Sequence, residues 1–145
     1  MTSRTKNRPR KGRHLDRVFL DANVLFSAAY REDSGLRRLW ALENVELLTS
    51  AYALEEARRN LSTEDQLRWL DELVGKLDMV PESGVALPDE IELAEKDVPI
   101  LQAAIAAEAS HLLTGDRKDF GRYFGQKLGG VSLMTPRHYL TARKR

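Results

Sequence analysis

The sequence contains no cysteine and only three histidines, His14, His111 and His138, which are scattered along the chain. The absence of cysteine excludes disulfide bonds, thiolate zinc sites and a cysteine nucleophile, and it fits a reducing cytoplasm, where we expect the protein to act. No apolar run approaches the roughly 20 residues that a membrane helix needs, so we expect no membrane association. Glycine-rich phosphate loops are missing too, because GQKLGG at residues 125–130 matches neither the dinucleotide-binding nor the P-loop pattern.

The charge of the chain is unevenly distributed. Its 145 residues carry a net charge of +1 and are 42% hydrophobic, which is typical of one globular domain. Residues 1–17 contain seven basic residues and one acid, a net charge of +6, so the remaining 128 residues carry −5. We predict a basic, flexible arm over residues 1–16 and a single domain over residues 17–145. Such arms often bind nucleic acid, and the residues expected to do so are Arg4, Lys6, Arg8, Arg10, Lys11 and Arg13. A solubilising tail is the competing interpretation.

Short apolar segments alternate with amphipathic segments along residues 17–145. The segments predicted as strands are residues 17–20, 45–50, 78–83, 111–116 and 131–136. Pro81 weakens the third of them. Most of the intervening segments predict helices, and the helix at residues 62–77 begins with a capping-box pattern, Ser62 with Asp65. This alternation predicts an α/β fold with a central parallel sheet of about five strands sandwiched between helices.

Carboxylates follow the predicted strands. Asp21 follows the first strand, Glu55 and Glu56 lie in the helix after the second, and Asp116 ends the fourth, with Asp119 one helical turn further on. The ends of parallel strands and the starts of the helices that follow them lie at one edge of a sheet, where ligands bind. Each acid alone has a structural explanation, as a helix cap or a solvated side chain. Together they would repel one another, and a hard divalent cation is the usual means of neutralising such a cluster.

Asp97 does not follow a strand. It begins the helix that leads into the fourth strand, and we expect an ordinary crossover to place it at the opposite edge of the sheet. It joins the other acids only if the long connection over residues 78–97 returns to the carboxyl edge. Periodicity does not decide between these positions, and capping of the helix that starts near Val98 is a further explanation.

Four segments of the chain resemble the PIN domain, the nuclease fold of VapC-type toxins and of RNA-processing endonucleases. They are FLDANVL, LLTSAYALEEARRNL, KDVPILQAAIAAEASHLLTGDRKDF and MTPRHYL, and the resemblance runs from residue 17 to about residue 140. The last two segments are the most specific. The family pattern places an acid before a small-residue helix, and then an apolar strand that ends in Thr-Gly-Asp. The resemblance implies that the acids, Asp97 included, meet in one pocket.

Carried over residue by residue, the resemblance implies two overlapping sets of acids. The set expected to be catalytic is Asp21, Glu56, Asp97 and Asp116. The set expected to hold a metal ion is Asp21, Asp97, Asp116 and Asp119. The implied ion is Mg²⁺ or Mn²⁺, which takes oxygen ligands. Glu56 is preferred to Glu55 because it lies six residues after Ser50 and five before Leu61, as the family spacing requires.

Polar and basic residues accompany these acids. The polar residues that match supporting positions of the family are Asn23, Ser50 and Thr114. Arg117 and Lys118 directly follow Asp116. We expect them to guide a phosphate group toward the pocket, with simple exposure to solvent as the alternative.

The implied function is that of a metal-dependent endoribonuclease that hydrolyses RNA phosphodiester bonds, as the toxin of a toxin–antitoxin pair does. The implied partners are RNA, an antitoxin protein and a second copy of the chain, which would bind through the segments 36–42 and 67–77. The alternative is a catalytically inactive PIN-like module that binds RNA or protein. A haloacid-dehalogenase-type phosphatase fits less well, because it needs a second acid where this chain has Asn23.

Overall fold

Strands and helices alternate in the computed structural model, which describes residues 15–143. The strands are β1 (Asp16–Leu20), β2 (Val45–Ser50), β3 (Asp78–Val80), β4 (His111–Leu113), β5 (Lys127–Leu128) and β6 (Val131–Met134). The helices are α1 (Ala22–Tyr30), α2 (Ala51–Asn60), α3 (Glu64–Val74), α4 (Val98–Ala106), α5 (Arg117–Phe120) and α6 (Pro136–Arg143). Short 3₁₀ helices occupy Gly35–Ala41, Glu95–Asp97 and Gly121–Tyr123.

The strands form one sheet in the order β3-β2-β1-β4-β6-β5, and all neighbours are parallel except β5 and β6. The predicted α/β fold is confirmed, with a mostly parallel sheet flanked by helices. The predicted number of strands is corrected from about five to six. The additional strand, β5, has two residues within the glycine-rich segment, which is too short for periodicity to reveal. The turn between β5 and β6 requires the positive φ angles of Gly129 (+56°) and Gly130 (+89°).

Proline, turn and cap chemistry set the observed ends of several elements. Strand β3 stops at Val80, directly before Pro81, because proline cannot donate a ladder hydrogen bond. The predicted capping box of Ser62 with Asp65 is wrong. Thr63 Oγ1 accepts a hydrogen bond from the backbone N of Gln66 at 3.1 Å, and Gln66 Oε1 accepts one from the N of Thr63 at 3.2 Å.

Both faces of the sheet are buried. Phe19 and Leu20 are adjacent in β1, so their side chains point to opposite faces, and both have no solvent exposure. Strand β1 begins at Asp16, one residue earlier than predicted. The buried Asp16 carboxylate accepts a hydrogen bond from the Tyr139 hydroxyl at 2.6 Å and lies 3.5 Å from Arg143. These contacts hold α6 against the start of β1.

The order of the strands reverses between β1 and β4. From β1 the chain first builds outward through β2 and β3, and it then returns to add β4 and β6 on the other side. The loops that follow β1 and β4 therefore diverge and leave a crevice at the carboxyl edge of the sheet. Within residues 15–143, no helix is long and apolar enough to cross a membrane.

Candidate active site

A cavity of about 390 Å³ opens in this crevice. Its lining residues are Asp21, Ala22, Asn23, Phe26, Glu56, Asn60, Lys96, Asp97 and Asp116. The structure thus brings all four acids that were predicted to be catalytic to the wall of a single cavity.

Asp21 lies directly after β1, and its two carboxylate oxygens have different partners. Oδ1 accepts a hydrogen bond from the backbone N of Ala22 at 2.7 Å, which caps α1. Oδ2 accepts from the Thr114 hydroxyl at 2.8 Å and from the Asn23 amide at 3.1 Å. Burial raises the pKa of Asp21, and the negative charge of Glu56 adds to this effect, while the hydrogen bond from Thr114 opposes it. Asp21 therefore caps a helix and also lies in the acid pocket.

Asn23 and Thr114 join the turn after β1 to the turn after β4. Thr114 is fully buried, and its Oγ1 accepts hydrogen bonds from the Asn23 amide and from the backbone N of Asp116, both at 3.1 Å. Asn23 Oδ1 accepts one from the backbone N of Gly115 at 2.8 Å. Because these bonds connect the two loops directly, the relative position of Asp21 and Asp116 is fixed by side chains that were predicted to support the site.

Asp97 lies at the carboxyl edge, beside Asp21 and Asp116, so the expectation that an ordinary crossover would place it at the opposite edge is wrong. Helix α4 ends shortly before β4 begins at the amino edge, and its first residues therefore lie at the carboxyl edge. The connection after β3 starts at that edge, because β3 is parallel to β2, and it ends in the 3₁₀ helix Glu95–Asp97. The Tyr52 hydroxyl, on α2, donates a hydrogen bond to the backbone carbonyl of Lys96 at 2.7 Å and so holds this turn against the pocket. Asp97 is only 5% exposed, yet its side chain makes no capping hydrogen bond to α4. The helix-cap explanation therefore does not account for Asp97.

Three acids form a compact cluster at the cavity. One carboxylate oxygen from each of Asp97, Asp116 and Asp119 lies within 4.8 Å of the others. The Lys96 ammonium lies 3.0 Å from Asp119 Oδ2, 3.4 Å from Asp97 Oδ2 and 3.8 Å from Asp116 Oδ2. Burial and a hydrogen bond with Asp119 raise the pKa of Asp97 to about 7, although the Lys96 charge opposes this shift. The hydrogen bond from Lys96 lowers the pKa of Asp119.

Glu56, rather than Glu55, faces the cavity. The two residues are adjacent on α2, where successive side chains point about 100° apart. Glu56 lines the cavity and is partly buried, whereas Glu55 is exposed. The fully buried Ser50 caps α2, since its Oγ accepts a hydrogen bond from the backbone N of Ala53 at 3.3 Å. Ser50 thus acts on the site indirectly, through the helix that carries Glu56.

Basic side chains lie beside the acid pocket. Arg117 and Lys118 are both exposed. Arg117 lines a second cavity of about 220 Å³, together with Asn23, Thr135 and Arg137. Because Asn23 lines both cavities, they are neighbours. The arm residues predicted to bind nucleic acid, Arg4, Lys6, Arg8, Arg10, Lys11 and Arg13, lie outside the described residues.

Sequence reasoning missed several residues of the pocket. They are Phe26, Tyr52, Asn60 and Lys96. The first three are ordinary helix residues with no pattern that separates them from core or surface positions. Lys96 directly precedes Asp97, and the side chains of adjacent residues usually point in different directions. Both residues lie in the 3₁₀ helix Glu95–Asp97, where both side chains reach Asp116 and Asp119.

The donor set fits a hard divalent cation. Oxygen atoms bound to Mg²⁺ at about 2.1 Å lie up to about 4.2 Å apart, which is close to the spread of the cluster. All three of its members are carboxylates, and Asp21 and Glu56 add two more at the cavity wall. Burial raises the pKa values of Asp21 and Asp97, repulsion from neighbouring carboxylates adds to the shift, and a bound cation would stabilise the charged forms. The candidate ligands are therefore Asp97, Asp116 and Asp119, with Asp21 beside them.

Comparison with known proteins agrees with the fold. A chain of the VapBC2 complex from Rickettsia felis, crystallised with a DNA fragment from their promoter, is 20% identical and superposes with a TM-score of 0.60. The match covers 82% of this chain and 98% of that chain, and at this identity it shows the fold alone. No curated protein matches the chain significantly. A sequence model of the PIN domain matches residues 17–118, which is well over half of the chain. The protein therefore belongs to the PIN domain family.

Proposed function

We propose that this protein is a metal-dependent endoribonuclease. The observation that carries the proposal is the cluster of Asp97, Asp116 and Asp119, whose carboxylate oxygens lie within 4.8 Å of one another at the carboxyl edge of the sheet. Membership of the PIN domain family supports it, because proteins of this family are typically nucleases. No cysteine is available, and a nuclease of this kind needs no nucleophile from the protein.

The residues of the pocket have distinct proposed roles. Mg²⁺ or Mn²⁺ would be held by Asp21, Asp97, Asp116 and Asp119. The bound ion would lower the pKa of a water molecule and stabilise negative charge on the scissile phosphate. Glu56 would accept a hydrogen bond from the attacking water and orient it. Asn23 and Thr114 fix the loops that carry Asp21 and Asp116, and Ser50 fixes the helix that carries Glu56.

The proposed substrate is single-stranded RNA, whose splayed loops fit a small pocket better than a rigid duplex does. Arg117 and Lys118 are exposed beside the acids and would attract the backbone phosphates on either side of the cleavage point. The basic arm would do the same at longer range, since residues 1–17 carry a net charge of +6 and the remaining 128 residues carry −5.

Deleting residues 1–13 is expected to weaken RNA binding at low salt without changing turnover at saturating RNA. Each arm residue that contacts a phosphate contributes about 0.7 to the slope of log K against log salt, so the truncated protein should show a flatter slope. Binding of a mixed-sequence RNA oligomer at several salt concentrations measures this. An unchanged affinity and slope would show that the arm is a solubilising tail, and a loss of turnover at saturation would place it in the active site.

We propose that the protein acts in the cytoplasm as the toxin of a toxin–antitoxin pair and that an antitoxin protein binds it. The similar fold of a chain from a VapBC2 complex supports that setting. A second copy of the chain remains a predicted partner. Its predicted surface, residues 36–42 and 67–77, is continuous in the structure, because Trp40 Nε1 donates a hydrogen bond to the Leu73 carbonyl at 3.0 Å.

The alternative function is an inactive PIN-like module that binds RNA or protein without cutting. Burial of Asp21 and Asp97 weighs against it, because burial raises the pKa values of both carboxyl groups, and their charged forms destabilise the fold unless a cation is bound. Incubating mixed RNA oligomers with Mg²⁺ or Mn²⁺, and in parallel with EDTA, separates the two functions. The proposal requires cleavage that depends on the ion, and the alternative requires binding without cleavage.

Glu56→Gln is expected to reduce turnover by about a hundredfold, whereas Glu55→Gln changes it less than about twofold. The reason is their orientation, since only Glu56 lines the cavity. The two variants are matched controls for each other, because they remove the same charge from adjacent positions on α2. Single-turnover cleavage under identical Mn²⁺ is the measurement, and equal losses would contradict the proposed role of Glu56.

A further inference from the structure

The Lys96 ammonium lies among the three carboxylates of the acid cluster. Its distances to Asp119, Asp97 and Asp116 are 3.0, 3.4 and 3.8 Å. Three negative charges therefore converge on one positive charge supplied by the chain itself. Within residues 15–143, Lys118 is the nearest lysine in sequence to Asp116 and Asp119, and it forms no ion pair with a carboxylate there.

The two ends of Lys96 are held differently. Its backbone carbonyl accepts the hydrogen bond from Tyr52, so the main chain is fixed next to Asp97. Its side chain is 58% exposed, and four flexible methylene groups separate the ammonium from the backbone. The ammonium can thus leave the cluster for solvent without moving Asp97 or the turn that positions it.

A divalent ion and the Lys96 ammonium would compete for the same oxygen atoms. An ion held by Asp97, Asp116 and Asp119 would lie about 2.1 Å from their oxygens, and the ammonium contacts those carboxylates at 3.0–3.8 Å. Two cations this close to the same carboxylates repel each other in a partly buried pocket, so binding of the ion favours departure of the ammonium. We propose that Lys96 is a tethered cation that a divalent ion must displace, and that it thereby sets the affinity of the acid cluster for metal.

This inference rests on the proposed metal site and predicts a specific energetic consequence. When a competing group occupies a site for most of the time, the apparent dissociation constant rises in proportion to the inverse of the fraction that is free. Lys96 therefore weakens metal binding and, in metal-free buffer, stabilises the fold by neutralising the acids. Removing the ammonium is therefore expected to strengthen metal binding and to lower the stability of the metal-free fold. Loss of a purely structural or substrate-binding lysine would not strengthen metal binding.

Titration calorimetry of Mn²⁺ binding to the full chain, in the absence of RNA, tests the proposal. Lys96→Met is expected to bind Mn²⁺ on the order of tenfold more tightly than the unmodified chain. Lys96→Arg is expected to bind it more weakly, because the guanidinium holds carboxylates through two hydrogen bonds at once. Lys118→Met removes the same charge close to the site and is expected to stay within about twofold of the unmodified chain.

Thermal melts of the same samples provide the second measurement. Lys96→Met is expected to have a lower melting temperature than the unmodified chain in EDTA and to gain more stability from Mn²⁺. Unchanged or weaker Mn²⁺ binding by Lys96→Met would overturn the proposal, as would tighter binding by Lys96→Arg. If no variant binds Mn²⁺, the metal site itself fails; if all bind it equally, only the role of Lys96 fails. Should Lys96→Met not fold, the arginine variant decides alone.

Discussion

Asp116→Asn is expected to reduce RNA cleavage by at least about a hundredfold while leaving the fold intact. Oδ1 of Asp116 accepts a hydrogen bond from the backbone N of Asp119 at 3.0 Å, and an asparagine oxygen can accept the same bond. The start of α5 should therefore survive the substitution. The charge that the other oxygen contributes to the cluster of Asp97 and Asp119 is lost, and with it the affinity for a divalent ion.

Asp71→Asn is a suitable control for Asp116→Asn, because it removes the same charge from a side chain that is 60% exposed on α3. Cleavage rates and thermal melts measured on the same samples separate loss of chemistry from loss of structure. Full activity of a folded Asp116→Asn protein would contradict the site assignment. Asp21→Asn should also abolish cleavage. It is a less clean test, because its amide would face the donors of Thr114 and Asn23 that now bind Asp21 Oδ2.

Asp97→Asn is expected to stabilise the metal-free protein above neutral pH and to abolish cleavage. In the folded protein the pKa of Asp97 is raised from 3.8 to about 7, so the folded state holds this proton more tightly than the unfolded state does. The stability of the unmodified chain should therefore fall as pH rises from about 4 to about 7, by at most about 1.4 kcal/mol per pH unit for this one proton. Asparagine resembles the protonated carboxyl, since its amide can donate a hydrogen bond to Asp119.

The difference in stability between Asp97→Asn and the unmodified chain should thus be small near pH 4 and largest at pH 8. Denaturant unfolding in EDTA at a series of pH values measures it, and contributions from other groups, such as Asp21, largely cancel in the difference. Mn²⁺ should reverse the order at pH 8, because the ion stabilises only the protein that retains the carboxylate. A difference in stability that does not vary with pH would show that burial and the neighbouring acids do not raise the pKa of Asp97.

The order of elements and most of the acid pocket follow from the sequence, because their signals are local. Alternating apolar and amphipathic segments predict the parallel sheet, and the carboxylates that follow β1 and β4 predict the edge at which Asp21 and Asp116 meet. Helix geometry predicts that Glu55 and Glu56 cannot both face the pocket, and the resemblance to the PIN domain favours Glu56 through its spacing from Ser50 and Leu61.

The remaining features depend on contacts between distant segments, which local patterns do not encode. The direction of α4 places Asp97 at the carboxyl edge, and the hydrogen bond from Tyr52 to the Lys96 carbonyl holds its turn against α2. Lys96 joins the cluster because a 3₁₀ turn directs it toward Asp119, which lies 23 residues further along the chain. The two-residue strand β5 exists because it pairs with β6, and its own sequence carries no strand period.

In the proposed reaction, the acid pocket uses a divalent ion and a water molecule to hydrolyse RNA. This reaction is tested most directly by mass spectrometry of the products when a single-stranded RNA oligomer is cleaved in ¹⁸O-labelled water with Mn²⁺. We expect linear phosphate ends that carry one ¹⁸O atom, formed only when the ion is present and the unmodified pocket is intact. Products that end in a 2′,3′-cyclic phosphate, or cleavage that persists in EDTA, would contradict it.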